Sequence, residues 1–181
     1  MTNHPLGPAA LTKSIVLVGM MGAGKSTVGR LLAHRLRLPF VDSDHEIEAA
    51  AALSVSQIFE TLGEPAFRDA ERRVIARLLD GPLCILSTGG GAFMNEQTRA
   101  VIKEKALSVW LQAEFDVLLE RVSRTNNRPL LQKGDPAILL RELMQTREPL
   151  YAQADLTVTS DQRPLETTVD RLIALIEEKD R

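Results

Sequence analysis

The sequence predicts a three-layer α/β/α fold around a parallel sheet of about five strands. Several apolar runs lack the alternation of a half-exposed strand, as expected when helices cover both sheet faces. Helical patterns separate those runs along the chain. A glycine-rich turn joins the first run to the first helix, the arrangement of a βα phosphate loop.

Bulk properties narrow the classes. The 181 residues are 44% hydrophobic, enough for one globular domain with a substantial core. A net charge of −2 gives no broad basic surface for nucleic acid or an anionic membrane. No apolar run approaches the length of a membrane span. Cys84 is the single cysteine, which excludes an intrachain disulfide, and within Leu83-Cys84-Ile85-Leu86 it reads as a small buried hydrophobe. His4, His34 and His45 are isolated and lack metal-ligand spacing. Met1 to Thr12 has prolines and a glycine but no cationic start and apolar core, so 1–12 reads as a flexible tail and 13–181 as the domain. A cytoplasmic location is the default expectation.

The first strand is Ser14 to Val18. The helix after the turn carries Val28, Leu31, Leu32 and Leu36 on one face and stops before Pro39. Pro39-Phe40-Val41 is a short extended piece that delivers Asp42-Ser43-Asp44. An Ala-rich helix to about Leu53 follows, then a short helix to Leu62 with Ser54 or Ser56 as its cap. Gly63 breaks that helix, and a longer one spans Glu64 to Leu79. Leu83 to Leu86 is the third strand and runs into Ser87-Thr88-Gly89-Gly90-Gly91. Asn95 caps a helix to Lys105, and Ala106 to Leu111 is the fourth strand. Helix Glu114 to Ser123 leads into a basic loop. Asp135-Pro136 gives an N-cap with proline at the first helical position, and Pro149 bends or ends that helix. Leu156 to Thr159 is the last strand, and Pro164 opens the terminal helix.

Gly19-Met20-Met21-Gly22-Ala23-Gly24-Lys25-Ser26 fills every fixed position of a P-loop. Its glycines let backbone N–H groups curl around phosphate oxygens, and the helix N-terminus adds partial positive charge there. Lys25 would reach the β- and γ-phosphates, and Ser26 would ligate Mg²⁺. Other marked residues fall after strand ends, where parallel sheets bind ligands. Asp42 helps hold hydrated Mg²⁺ while Asp44 accepts from a substrate hydroxyl, or else Asp42 or Ser43 simply caps the next helix. The triple glycine is either a plain turn or a site of close backbone approach to a ligand. Arg68, with Glu64 at i−4 and Glu71 at i+3, reads first as a surface ion pair and more sharply as a carboxylate clamp. Arg147 carries the same two readings. Arg121, Arg124, Arg128 and Lys133 make the 121–134 region basic, suited to a lid at about 122–134 that closes over triphosphate.

Together these residues resemble the shikimate kinase family of nucleoside-monophosphate-kinase-like P-loop enzymes. The likeness rests on Gly19 to Thr27, Asp42-Ser43-Asp44, Ile58-Phe59-Glu60, Gly63-Glu64, Phe67-Arg68, Gly89-Gly90-Gly91, Arg128-Pro129-Leu130-Leu131 and Arg147-Glu148-Pro149-Leu150-Tyr151. It covers about Lys13 to the C-terminus. The resemblance implies a P-loop fold with strand order 2-3-1-4-5 and a mobile lid. It implies ATP- and Mg²⁺-dependent phosphorylation of the shikimate 3-hydroxyl, a step toward chorismate and the aromatic amino acids, by a monomer.

Carried over residue by residue, it places ATP on Gly22, Ala23, Gly24, Lys25, Ser26 and Thr27, and Mg²⁺ on Ser26 and Asp42. Arg124 would stack on adenine, with Arg163 bordering the base from the other side. Arg128 would reach the transferred phosphate. Asp44, Phe59, Phe67, Arg68, Gly89, Gly90, Gly91 and Arg147 would form the shikimate pocket, about 42–71 supplying one wall. Lys25, Asp44 and Arg128 would carry the catalysis.

A gluconate-type sugar-acid kinase is the nearest rival, sharing loop and lid. A GTPase would need an Asn-Lys-x-Asp motif, which the sequence lacks. An ATPase motor would usually end its third strand in acidic residues, whereas this one ends in Ser87-Thr88-Gly89. A non-catalytic nucleotide-binding homologue would be expected to lose Lys25, Asp44 or Arg128.

Overall fold

The structure is a computed structural model that describes residues 11–124, 134–161 and 163–179. The chain runs β1 (Ser14–Val18), α1 (Lys25–Leu36), β2 (Phe40–Asp42), α2 (Ser43–Ala51), α3 (Val55–Thr61), α4 (Gly63–Leu79), β3 (Ile85–Ser87), α5 (Glu96–Lys105), β4 (Ala106–Gln112), α6 (Phe115–Ser123), α7 (Pro136–Tyr151), β5 (Leu156–Thr159) and α8 (Leu165–Lys179). The strands form one parallel sheet in the order β2-β3-β1-β4-β5. Helices flank it, with α1 packed against α8 and α4 against α5.

Hydrophobic burial explains why β1 is central. Ile15, Val16, Leu17 and Val18 are all fully buried, the pattern of a strand covered on both faces. Each such side chain contributes about 1.5–3 kcal/mol relative to exposure. A second, smaller core of Ile47, Ile58, Phe67 and Val74 lies among α2, α3 and α4. It ties those helices into a wall beside the sheet.

Local chemistry sets the element ends. Ser54, rather than Ser56, caps α3: its hydroxyl accepts from Gln57 N at 3.2 Å while Gln57 Oε1 accepts from Ser54 N at 2.8 Å. Gly63, at φ 82°, makes the expected break after α3 and is the first residue of α4. Asp135 accepts from Ala137 N at 2.8 Å, with Pro136 opening α7. Pro149 does not end α7, which continues to Tyr151. One element escaped the periodicity: a 3-10 turn over Ala92–Met94 that closes the triple-glycine segment.

Register fixes the rim. Leu17 of β1 and Asp42 of β2 both pair with Ser87 of β3, so three strands end side by side. The residues that follow therefore emerge together at the carboxyl edge of the sheet.

Gly19 makes that exit possible. Its φ is 139°, and a methyl group there would lie 2.6 Å from the Leu111 carbonyl oxygen at the end of β4. Gly19→Ala should therefore lower the unfolding free energy by about 1–3 kcal/mol in urea denaturation. An unchanged midpoint would show that the strand end yields freely.

Candidate active site

The phosphate loop folds around its own lysine. Lys25 opens α1, is buried, and donates through Nζ to the carbonyls of Gly19 at 2.8 Å and Met20 at 2.9 Å. Ser26 Oγ donates to Asp42 Oδ2 at 2.9 Å and lies 3.3 Å from Ser87 Oγ. The other Asp42 oxygen accepts from Asp44 N at 3.1 Å and caps α2. One carboxylate thus serves both readings of Asp42, capping with Oδ1 and meeting Ser26 with Oδ2. The paired hydroxyl and carboxylate suit a hard cation that keeps several waters. Among the described residues no cluster of three or more His, Cys, Asp or Glu could enclose a metal, so phosphate and water would have to complete its shell.

Two cavities meet at this rim. One, of about 580 Å³, is lined by Gly22, Gly24, Lys25, Ser26, Thr27, Arg121, Arg163 and neighbours. The other, of about 540 Å³, is lined by His45, Phe59, Phe67, Arg68, Glu71 and Gly91 among others. Met21, Asp42, Asp44, Gly89 and Gly90 line both. They form a shared wall.

The second cavity holds a charged cluster. Arg68 donates through Nη1 to Glu71 Oε2 at 2.7 Å, and through Nε and Nη2 to Glu64 Oε1 at 3.2 Å. The sequence presents Arg68 as a surface pair; the structure makes half of it internal, since Glu71 is 2% exposed. Burial opposes the Arg68 charge, but Glu71 and Glu64 more than offset it and hold its pKa above the usual value. Burial pushes the Glu71 carboxyl up, and neighbouring Asp44 adds to the push against the pull of Arg68. Arg147 is buried on α7, and its Nη1 has no hydrogen-bond partner among the described residues. Leaving a charged donor unmet costs more than the usual 1–3 kcal/mol for a polar group, so this donor capacity suits an incoming anion. Phe59 and Phe67 pack with ring centroids 4.8 Å apart, and Arg68 lies 5.1 Å from the Phe67 centroid.

The triple glycine makes room for these charges. A methyl group at Gly89 would sit 2.7 Å from Glu71 Oε1 and 3.0 Å from Asp44 Oδ1, and one at Gly91 would overlap the Arg68 guanidinium. At Gly90 it would meet Arg147 Nη1 at 3.3 Å. The triple glycine is thus more than a plain turn, because its backbone lies close against charged side chains.

Some expected residues stand elsewhere. Arg124 does not enter the nucleotide cavity: its side chain is 77% exposed and pairs with Glu120 at 2.6 Å. Arg121 lines that cavity, donating to Gly22 O and Ser160 Oγ at 3.2 Å and to Asp161 O at 3.1 Å. Helical phase carries the signal, since Arg121 lies beside buried Leu118 and Val122 of α6 whereas Arg124 continues the outer row of Glu120. Arg163 lines the cavity and pairs with Asp161. Ala23 is fully buried and can offer only its backbone. Arg128, Lys133 and most of the expected lid lie outside the described residues. Glu71, given no site role by the sequence, is central to the cluster.

Comparison with known proteins bears on the cluster. The family described as shikimate kinase matches residues 21–177. A shikimate kinase of Rhodopseudomonas palustris is 58% identical over 91% of this chain and 81% of that protein. The structure of shikimate kinase from Acinetobacter baumannii in complex with shikimate superposes with a TM-score of 0.89 at 39% identity, covering 92% of this chain and 94% of that one. A gluconokinase from Sinorhizobium meliloti reaches a TM-score of 0.57 at 17% identity over 93% and 98%, a likeness of fold alone.

Glu71 also predicts a pH effect. With its folded pKa above the ordinary value, its contribution to stability is complete below the usual glutamate range and is lost as pH rises through the raised value. Glu71→Gln removes that titration. Urea denaturation between about pH 4 and pH 8 should show wild-type stability falling relative to the variant as pH rises. Wild-type stability that rises relative to the variant with pH would contradict the cluster electrostatics.

Proposed function

The chain belongs to the shikimate kinase family, and from that membership and the site geometry we propose that it transfers the γ-phosphoryl group of ATP to the 3-hydroxyl of shikimate, giving shikimate 3-phosphate and ADP. The observation that carries this reading is the shared wall. Asp44 lines both cavities, so a donor in one and an acceptor in the other would face each other across it.

The acceptor cavity has a polarity that fits a carboxylated polyol. Arg68 lines this cavity and Arg147 lies against Gly90 at its edge, and the two cationic donors would anchor a carboxylate between them. Asp44 then accepts a hydrogen bond from the hydroxyl turned toward the nucleotide and takes its proton as the bond to phosphorus forms. The Gly90 N–H supplies a further contact, and Phe59 and Phe67 wall the ring. A loose phosphoryl transition state asks for alignment and charge stabilisation more than for a strong base.

On the donor side, backbone N–H groups of the loop and Lys25 hold the phosphates. Ser26 and Asp42 would hold Mg²⁺, which when bound offsets charge on the β- and γ-phosphates. Arg121 and Arg163 line the cavity and would border the nucleoside end, and Arg124 belongs to the proposal as the adenine-stacking arginine on the family resemblance alone. Arg128 belongs to the proposal as the lid arginine on the transferred phosphate, on the family resemblance alone. A monomeric, cytoplasmic enzyme is part of the same reading.

A coupled ADP-release assay tests it. Turnover with ATP and shikimate is expected, and ADP release with gluconate but not shikimate would transfer the chain to the rival sugar-acid kinase class. In a second test, Asp44→Asn should lose turnover by about a hundredfold or more while nucleotide binding survives. Parallel loss of nucleotide binding would move Asp44 to the donor side.

A further inference from the structure

Tyr151, the only tyrosine of the chain, closes α7 one turn beyond Arg147. Its side chain is fully buried. The ring packs near Phe93 and Trp110, with centroids 6.5 Å and 6.1 Å away. Phenylalanine would satisfy that packing equally well, so the ring does not account for the hydroxyl. A buried hydroxyl is unfavourable without a partner, and this one has two possible acceptors. It donates to the Gly90 carbonyl, and Met20 Sδ lies 3.9 Å away. Burial pushes the phenol up to about 12 against the opposing influence of Arg147, so it remains a donor throughout the neutral range.

The position of that bond gives it meaning. Met20 belongs to the phosphate loop, Gly90 to the shared wall, and Arg147 to the same helix as Tyr151. Three consecutive glycines have no side chains with which to hold themselves, and glycine is the most conformationally free residue. The flanks are tied by Ala92 N to Gly89 O at 3.1 Å and Met94 N to Gly91 O at 3.1 Å. The middle carbonyl is held by the tyrosine instead.

We propose that Tyr151 is a positioning residue whose hydroxyl fixes the Gly90–Gly91 peptide and thereby sets the distance between the glycine loop and Arg147 that an acceptor carboxylate requires. This rests on the shikimate reading above. Shikimate turnover by the wild-type enzyme tests that reading separately, before any variant is made.

Tyr151→Phe keeps the ring and removes the bond. It should raise the shikimate KM about three- to tenfold, with the ATP KM and the melting temperature little changed. An unchanged shikimate KM, or equal rises in both KM values together with lost thermal stability, would overturn the positioning role. Should the variant fail to fold, 3-fluorotyrosine incorporation labels this one position in the otherwise unaltered chain. Its single ¹⁹F resonance should shift on titration with shikimate; a resonance unmoved at saturation would also overturn the proposal.

Discussion

The acceptor half of this site depends on one constraint: two carboxylates and two guanidiniums must crowd around three glycines. Glu71 is the pivot. It is almost fully buried, holds Arg68 at 2.7 Å, and lies close to Asp44. Removing one member of such a pair typically costs about 3–5 kcal/mol, because the survivor stays buried and unpaired. The arrangement is therefore an unattractive way to gain stability and a good way to keep a rigid, charged receptor. Its guanidiniums can bind an anion without first ordering long side chains.

The sheet supplies the geometry. Pairing Leu17 and Asp42 with Ser87 brings three strand ends to one edge. The phosphate loop, the two aspartates and the glycine loop then converge without any long connection. Asp42 joins the halves, since its two oxygens contact Ser26 on the donor side and cap the helix that presents Asp44. A change at the Ser26 side of Asp42 would thus be felt at Asp44 through the first turn of α2.

Features set by neighbours in sequence were legible in advance. The phosphate loop, the apolar strands and the Asp135-Pro136 cap all depend on short spacings, and each element formed near its expected bounds. The roles of Arg68 and the triple glycine were not legible from spacing, because an ion pair at i+3 looks the same on a buried face as on an exposed one. What decides between them is that Arg68 packs so close to Gly91 that a methyl group there would overlap its guanidinium, a contact between segments far apart in the chain. Resemblance to a known family suggested those roles where local physics could not. Around the nucleotide cavity the structure adds Arg121, whose phase beside the buried Leu118 and Val122 turns it inward, while Arg124 pairs with Glu120 on the outer face of α6. Tyr151 left no local sign, since a tyrosine ending an amphipathic helix is ordinarily read as core.

The central claim is that Arg68 and Arg147 recognise the acceptor carboxylate independently of the nucleotide. Calorimetric titration of shikimate into the wild-type protein and into Arg147→Ala, with no nucleotide present, tests it most directly. Loss of one charge-assisted hydrogen bond, about 1.5–3 kcal/mol, predicts affinity weakened by about ten- to a hundredfold in the variant. Equal affinity for shikimate in the two proteins would contradict the claim and remove Arg147 from the acceptor site.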